Sequence, residues 1–202
     1  MMILRPLRQA GTSLIEVLVT VVILGFGLIG IAVFQTKAQV ASVESYQRAQ
    51  AVIMLEDMRA RMVSNPDNAA LYASTSAVLG TGVANPPTSC TGETAGVNRD
   101  LCEWGLALRG ASETRQSTAA SVTTTSNFGA MTGARGCIRQ LQAPDNTANV
   151  CRPGTYLITV AWQGLHATRA PSLTCGQDAF TGETYRRAIS VRVATGLRTC
   201  RV

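Results

Sequence analysis

Histidine is nearly missing from this 202-residue chain, where His166 stands alone. None of the cysteines forms a C-x-x-C pair, so neither a zinc site nor a thiol-redox centre has its usual ligand spacing. The sequence also lacks H-E-x-x-H, G-x-S-x-G and any glycine-rich phosphate loop, the signatures of metalloprotease, hydrolase and nucleotide chemistry. His166 has no Ser, Cys or carboxylate partner nearby in sequence and reads as a surface-loop residue. Aromatics make up 5 % and charged residues 15 %, with no run of Lys or Arg and no aromatic-rich basic patch. The formal net charge of +6 is therefore a mild bias, and nucleic-acid binding is not expected. No N-x-[ST] sequon is present. The chain reads as a non-enzyme with no metal and no cofactor.

What the sequence does contain is one long apolar run. Leu14 to Phe34 comprises 21 residues whose only formal charge is Glu16. At about 1.5 Å of helix rise per residue the run covers roughly 30 Å, the hydrocarbon thickness of a bilayer. A carboxylate near the membrane edge is costly and calls for a partner. Ahead of the run, Met1 to Gly11 carries Arg5 and Arg8 and no acid, which suits a cytoplasmic end under the positive-inside rule. A secretory signal peptide is one reading, with Gly30-Ile31-Ala32 as its cleavage site and a mature chain from Val33. The run exceeds the usual length of about 7–15 residues for such a peptide, and Glu16 sits at its start. An uncleaved anchor is another reading, and it leaves Glu16 unexplained.

Gly11-Thr12-Ser13-Leu14-Ile15-Glu16 resembles the N-terminal signal of type IV pilins and related pseudopilins, in which a short basic leader ends in Gly and a glutamate is fifth in the mature chain. Glu16 is fifth counting from Thr12. The resemblance implies cleavage between Gly11 and Thr12 by a prepilin peptidase and N-methylation at Thr12. Most members begin the mature chain with Phe, and Thr12 departs from that. An ionised Glu16 in an apolar helical bundle is disfavoured unless it meets a cation. The cation the family implies is the free, methylated α-amino group of a neighbouring subunit, so that Glu16 sets the register of assembly.

Helical character continues past the apolar run. Val40, Val43, Ala51, Met54, Leu55, Met58 and Met62 recur at three- and four-residue steps, with Lys37, Glu44, Arg48, Glu56, Asp57, Arg59 and Arg61 between them. One helix from Ser13 to Val63, on the order of 75 Å long, is expected to stop at Ser64-Asn65-Pro66-Asp67-Asn68. Gly25, Gly27 and Gly30 interrupt its apolar half, either as a soft turn or as sites of close helix packing. Four regions follow from this: a leader, 1–11; a transmembrane or filament-core helix, 12–34; an amphipathic helical half packing on the domain, 35–63; and a periplasmic disulfide-containing β domain, 64–202.

Cys90, Cys102, Cys137, Cys151, Cys175 and Cys200 all lie beyond the helix, and an even number on one side of a membrane segment suggests an oxidising compartment. Fifteen pairings are open to six cysteines. The simplest expectation joins neighbours: Cys90 with Cys102, Cys137 with Cys151, and Cys175 with Cys200. Each would contribute about 3 kcal/mol by restricting the unfolded chain.

Ala69 to Pro87 reads as a connecting loop with a short helix near Leu71. Period-two alternation marks strands at Leu101 to Leu108, Tyr156 to Trp162 and Ala188 to Ala194, with Gly136 to Leu141 as a fourth. Trp104 and Trp162 are expected in the core or on a sheet face. Ala111 to Ser126 holds nine Ser or Thr in sixteen residues and reads as a mobile loop. Helix followed by strands gives an α+β class, an antiparallel sheet packed on one long N-terminal helix, which is also the pilin fold that the resemblance implies. Arg135-Gly136-Cys137-Ile138-Arg139, Pro153-Gly154-Thr155-Tyr156 and Val160-Ala161-Trp162-Gln163-Gly164 further resemble the C-terminal domain of PilV-type minor pilins.

That family implies a minor pilin that helps prime the type IV pilus, working with other minor pilins, the major pilin, the prepilin peptidase and a tip adhesin, in support of adhesion and twitching motility. It implies a single pass through the inner membrane with the domain periplasmic, and the pilus or cell surface after assembly. A minor pseudopilin of type II secretion carries the same signal. A membrane-anchored periplasmic binding module and a DNA-uptake pilin are further alternatives.

Overall fold

The computed structural model describes residues 11, 13–74, 78–111, 114–119, 122–127, 131–147 and 149–195. The chain divides into two units, Met1–Val43 and Glu44–Val202. Helix α1, Leu14–Ser64, runs through the boundary without a break. In the first unit no described residue is buried.

In the second unit α1 becomes one wall of a core. Gln47, Ala51, Leu55, Met58 and Met62 are its buried residues, at steps of four, four, three and four, the stripe a 3.6-residue period produces. Val43, expected in the apolar stripe, is exposed, and Gln47 is buried instead. The helix stops where Pro66 cannot continue its hydrogen bonding. Pro66–Asn68 form a single 3-10 turn, followed by α2, Ala69–Tyr72.

The unit's main sheet is four-stranded and antiparallel: β1 (Leu79–Gly80), β4 (Arg135–Gln142), β5 (Gly154–Gln163) and β6 (Arg186–Thr195), paired in the order β1-β4-β5-β6. Alternation on β5 places Tyr156, Ile158, Val160 and Trp162 on the inner face, all buried. Ile138, Val191 and Ile189 stand in register with them and extend that face. Each large side chain fully buried here contributes roughly 1.5–3 kcal/mol over leaving it in water. The fold class is α+β, as the residue patterns led us to expect, and pilin-like, as the resemblance implied.

Further expectations fail in instructive ways. Leu101 to Leu108 is not a strand: it belongs to helix α3, Val97–Leu108, whose inward stripe is Leu101, Trp104 and Leu108. Trp104 is fully buried and lies so close to β4 that a Cβ on Gly136 would fall 2.3 Å from its ring, which is why β4 carries glycine there. Ala111 to Ser126 is not a loop throughout, since β2 (Thr114–Ala119) and β3 (Val122–Asn127) form an antiparallel hairpin. β-Branched threonines favour extended backbone even where no apolar alternation exists. Cys137 bonds to Cys175, which overturns both the Cys137–Cys151 and the Cys175–Cys200 pairings, because the segment between β5 and β6 folds back over the outer face of β4. The Cys90–Cys102 bond forms between neighbours as expected. Cys151 is disulfide-bonded as well, and Cys200 lies outside the described residues.

Candidate functional site

Ser13 starts α1. Its carbonyl accepts from the backbone N–H groups of Glu16 (3.0 Å) and Val17 (3.3 Å), and its hydroxyl accepts from the Glu16 N–H at 3.3 Å. Ser13-Leu14-Ile15-Glu16 is thus an S-x-x-E capping arrangement, with the carboxylate in the first turn where the helix dipole favours negative charge. The S-x-x-E spacing ahead of an apolar run is itself a sequence signature of a helix start. Glu16 and Gly11 are exposed, and Thr12 and the leader residues Arg5 and Arg8 lie outside the described residues.

From Leu14 to Phe34 every large apolar side chain is between 46 and 83 % exposed, and the stretch is long and apolar enough to cross a membrane. Its threonine hydroxyl is satisfied within the helix: Thr20 donates to the Val17 carbonyl at 2.8 Å, and further along Thr36 donates to Ala32 at 3.0 Å. No atom other than the helix's own approaches within 4 Å of the Cβ positions at Gly25, Gly27 and Gly30. This surface can insert in lipid or pack on other apolar helices, and it offers no catalytic group.

In the second unit, side chains fasten the helix to the domain. Glu44 accepts from the Leu165 N–H (3.2 Å) and Arg187 (3.4 Å), with His166 Nδ1 at 3.8 Å. His166 is therefore a loop residue, as read from sequence, but one beside a carboxylate. At the other end, Arg61 reaches Asp57 (3.2 Å), Asp100 (3.0 Å) and Glu103 (2.7 Å), joining α1 to α3. Burial disfavours the Arg61 charge, but the hydrogen bonds it donates to Glu103 and Asp57 outweigh it and raise its pKa. Tyr72 donates its hydroxyl to Asp100; burial, reinforced by that bond, pushes the phenol up to about 12. Arg186, only 2 % exposed, holds the segment between β5 and β6 by donating to the carbonyls of Pro171, Leu173 and Cys175 and to Glu183. The bond from Arg186 keeps the Glu183 carboxyl below its ordinary range. Charge in this unit serves architecture. Among the described residues no group of three or more His, Cys, Asp or Glu stands close enough to hold a metal ion.

Residues 6–32 match the family model described as the prokaryotic N-terminal methylation motif. No curated protein and no solved structure matches the chain. The motif supports a type IV pilin-like protein, a class that is generally structural, and implies processing by a prepilin peptidase and assembly with other pilins. Together with the apolar helix it fits a membrane-anchored, single-pass protein.

Proposed function

We propose that the chain is a minor pilin of the type IV pilus, of PilV type, which promotes pilus assembly within a minor-pilin complex at the tip and so supports adhesion and twitching motility. In this reading cleavage falls between Gly11 and Thr12, Thr12 is N-methylated, and Glu16 pairs with the α-amino group of a neighbouring subunit. Residues 12–34 span the inner membrane and later enter the filament core, 35–63 pack on the domain, and 64–202 form the periplasmic part. The observation that carries the reading is the methylation motif over residues 6–32, set on an N-capped helix whose large apolar side chains from Leu14 to Phe34 are all exposed.

Packing of Leu14 to Phe34 against like helices supplies the cohesion, and the carboxylate selects the position. An unpaired charge in such a bundle costs several kcal/mol. Glu16→Ala should therefore leave the protein folded and membrane-inserted but absent from sheared pili. Normal recovery of the variant in the pilus fraction contradicts the reading; loss of secreted enzymes with intact pili on deleting the gene points instead to type II secretion.

A further inference from the structure

The sheet ends on unequal edges. β1 is two residues long and offers almost nothing to a further strand, whereas β6 is ten residues long and pairs with β5 along its whole length. Among the described residues no strand pairs with the other side of β6. About half of its backbone N–H and C=O groups therefore point outward as an open ladder. Exposed edges are usually shortened, bulged or broken by proline. β6 has no proline and its register against β5 has no shift.

The two faces at this edge specify what would fit. On the inner face Ile189 and Val191 pack on the core yet stay only half-buried, so the core is one strand short of full cover there. On the outer face Arg139, Leu157 and Arg192 stand in register across three strands. Both arginines are exposed, and among the described residues neither makes an ion pair. A side chain placed opposite Arg192 on an added strand would lie about 5 Å away between Cβ atoms.

We propose that the β6 edge takes up an extended strand of a partner protein in which apolar and acidic side chains alternate. The apolar set covers Ile189 and Val191, the acidic set meets Arg192, and the backbone ladder supplies affinity. This goes beyond the assembly role of the helix and does not depend on it.

The test uses the full chain in detergent micelles and ten-residue peptides of alternating Val and Asp, alternating Val and Lys, and Val and Asp interrupted by Pro. Hydrogen exchange and amide chemical shifts report on residues 187–194. The Asp peptide should suppress exchange at about half of these amides, those pointing away from β5, and the Lys and Pro peptides should not. Arg192→Glu, an exposed change that leaves the fold intact by far-UV dichroism, should transfer the preference to the Lys peptide. No protection by the Asp peptide, equal protection by all three, or protection by self-association of the chain without peptide each overturns the proposal.

Discussion

Trp104 Nε1–H donates to the backbone carbonyl of Met54 at 2.9 Å, across fifty residues of sequence, and ties helix α3 to helix α1. The same indole lies against Gly136 of β4, so one side chain fixes the spacing of two helices and a strand. Gly136→Ala puts a methyl group into the Trp104 ring and should destabilise the domain by about 1–3 kcal/mol, the usual cost of overpacking. Trp104→Phe, which relieves the crowding but loses the hydrogen bond, should partly rescue Gly136→Ala in urea unfolding. Strict additivity of the two changes would show that the contact does not couple them.

Arg61 answers three carboxylates, so its loss leaves Asp57, Asp100 and Glu103 facing one another without a cation. Arg61→Met should cost about 2–3 kcal/mol, less than for a fully buried network because the site is partly open to water. Arg61→Lys should recover only part of this, as an ammonium cannot fork to several carboxylates. Thermal melts of the three proteins at fixed ionic strength check the order.

Tyr72 should titrate late. Its folded pKa of about 12 lies above the ordinary 10.0, so the native state favours the neutral phenol. That contribution is fully present below pH 10 and fades as pH rises through about 12. Absorbance titration of the four tyrosines should show a late phase that shrinks in Tyr72→Phe.

At the acid end Glu183 acts with the opposite sign. Arg186 holds its folded pKa below the ordinary 4.5, so the pair stabilises the protein above that pH and the contribution is lost as pH falls through the lowered value. Glu183→Gln should unfold with a weaker acid dependence below pH 4.5, measured as the urea midpoint against pH.

The two described disulfides close loops of different size, with separations of 12 residues for Cys90–Cys102 and 38 for Cys137–Cys175. Chain entropy assigns about 3 kcal/mol to the first and about 4 kcal/mol to the second. Double-alanine variants of each pair, compared by urea unfolding, should follow that order.

Much of this architecture could be read from residue order, and the exceptions share a cause. β4, β5 and β6 announce themselves because one sheet face is buried and the other is not, which imposes alternation. α3 carries both periods at once: Cys102, Trp104, Leu106 and Leu108 alternate, while Val97, Leu101, Trp104 and Leu108 form the helical stripe, and tertiary contact to α1 decides between them. The sequence between β2 and β3, Ala120-Ser121, contains no Asn or Gly to signal a turn. The Cys137–Cys175 bond and the role of Arg186 depend on the segment between β5 and β6 returning over β4, a long-range relation that local sequence does not carry. At the helix start the signal lay in plain view, because a cap and an assembly motif are both local.

N-terminal sequencing and intact mass of the protein, isolated from membranes with and without the prepilin peptidase, test whether this is a processed pilin. A chain beginning at N-methylated Thr12 only when the peptidase is present is the predicted result. An intact Met1 under both conditions, or a start at Val33, would contradict it.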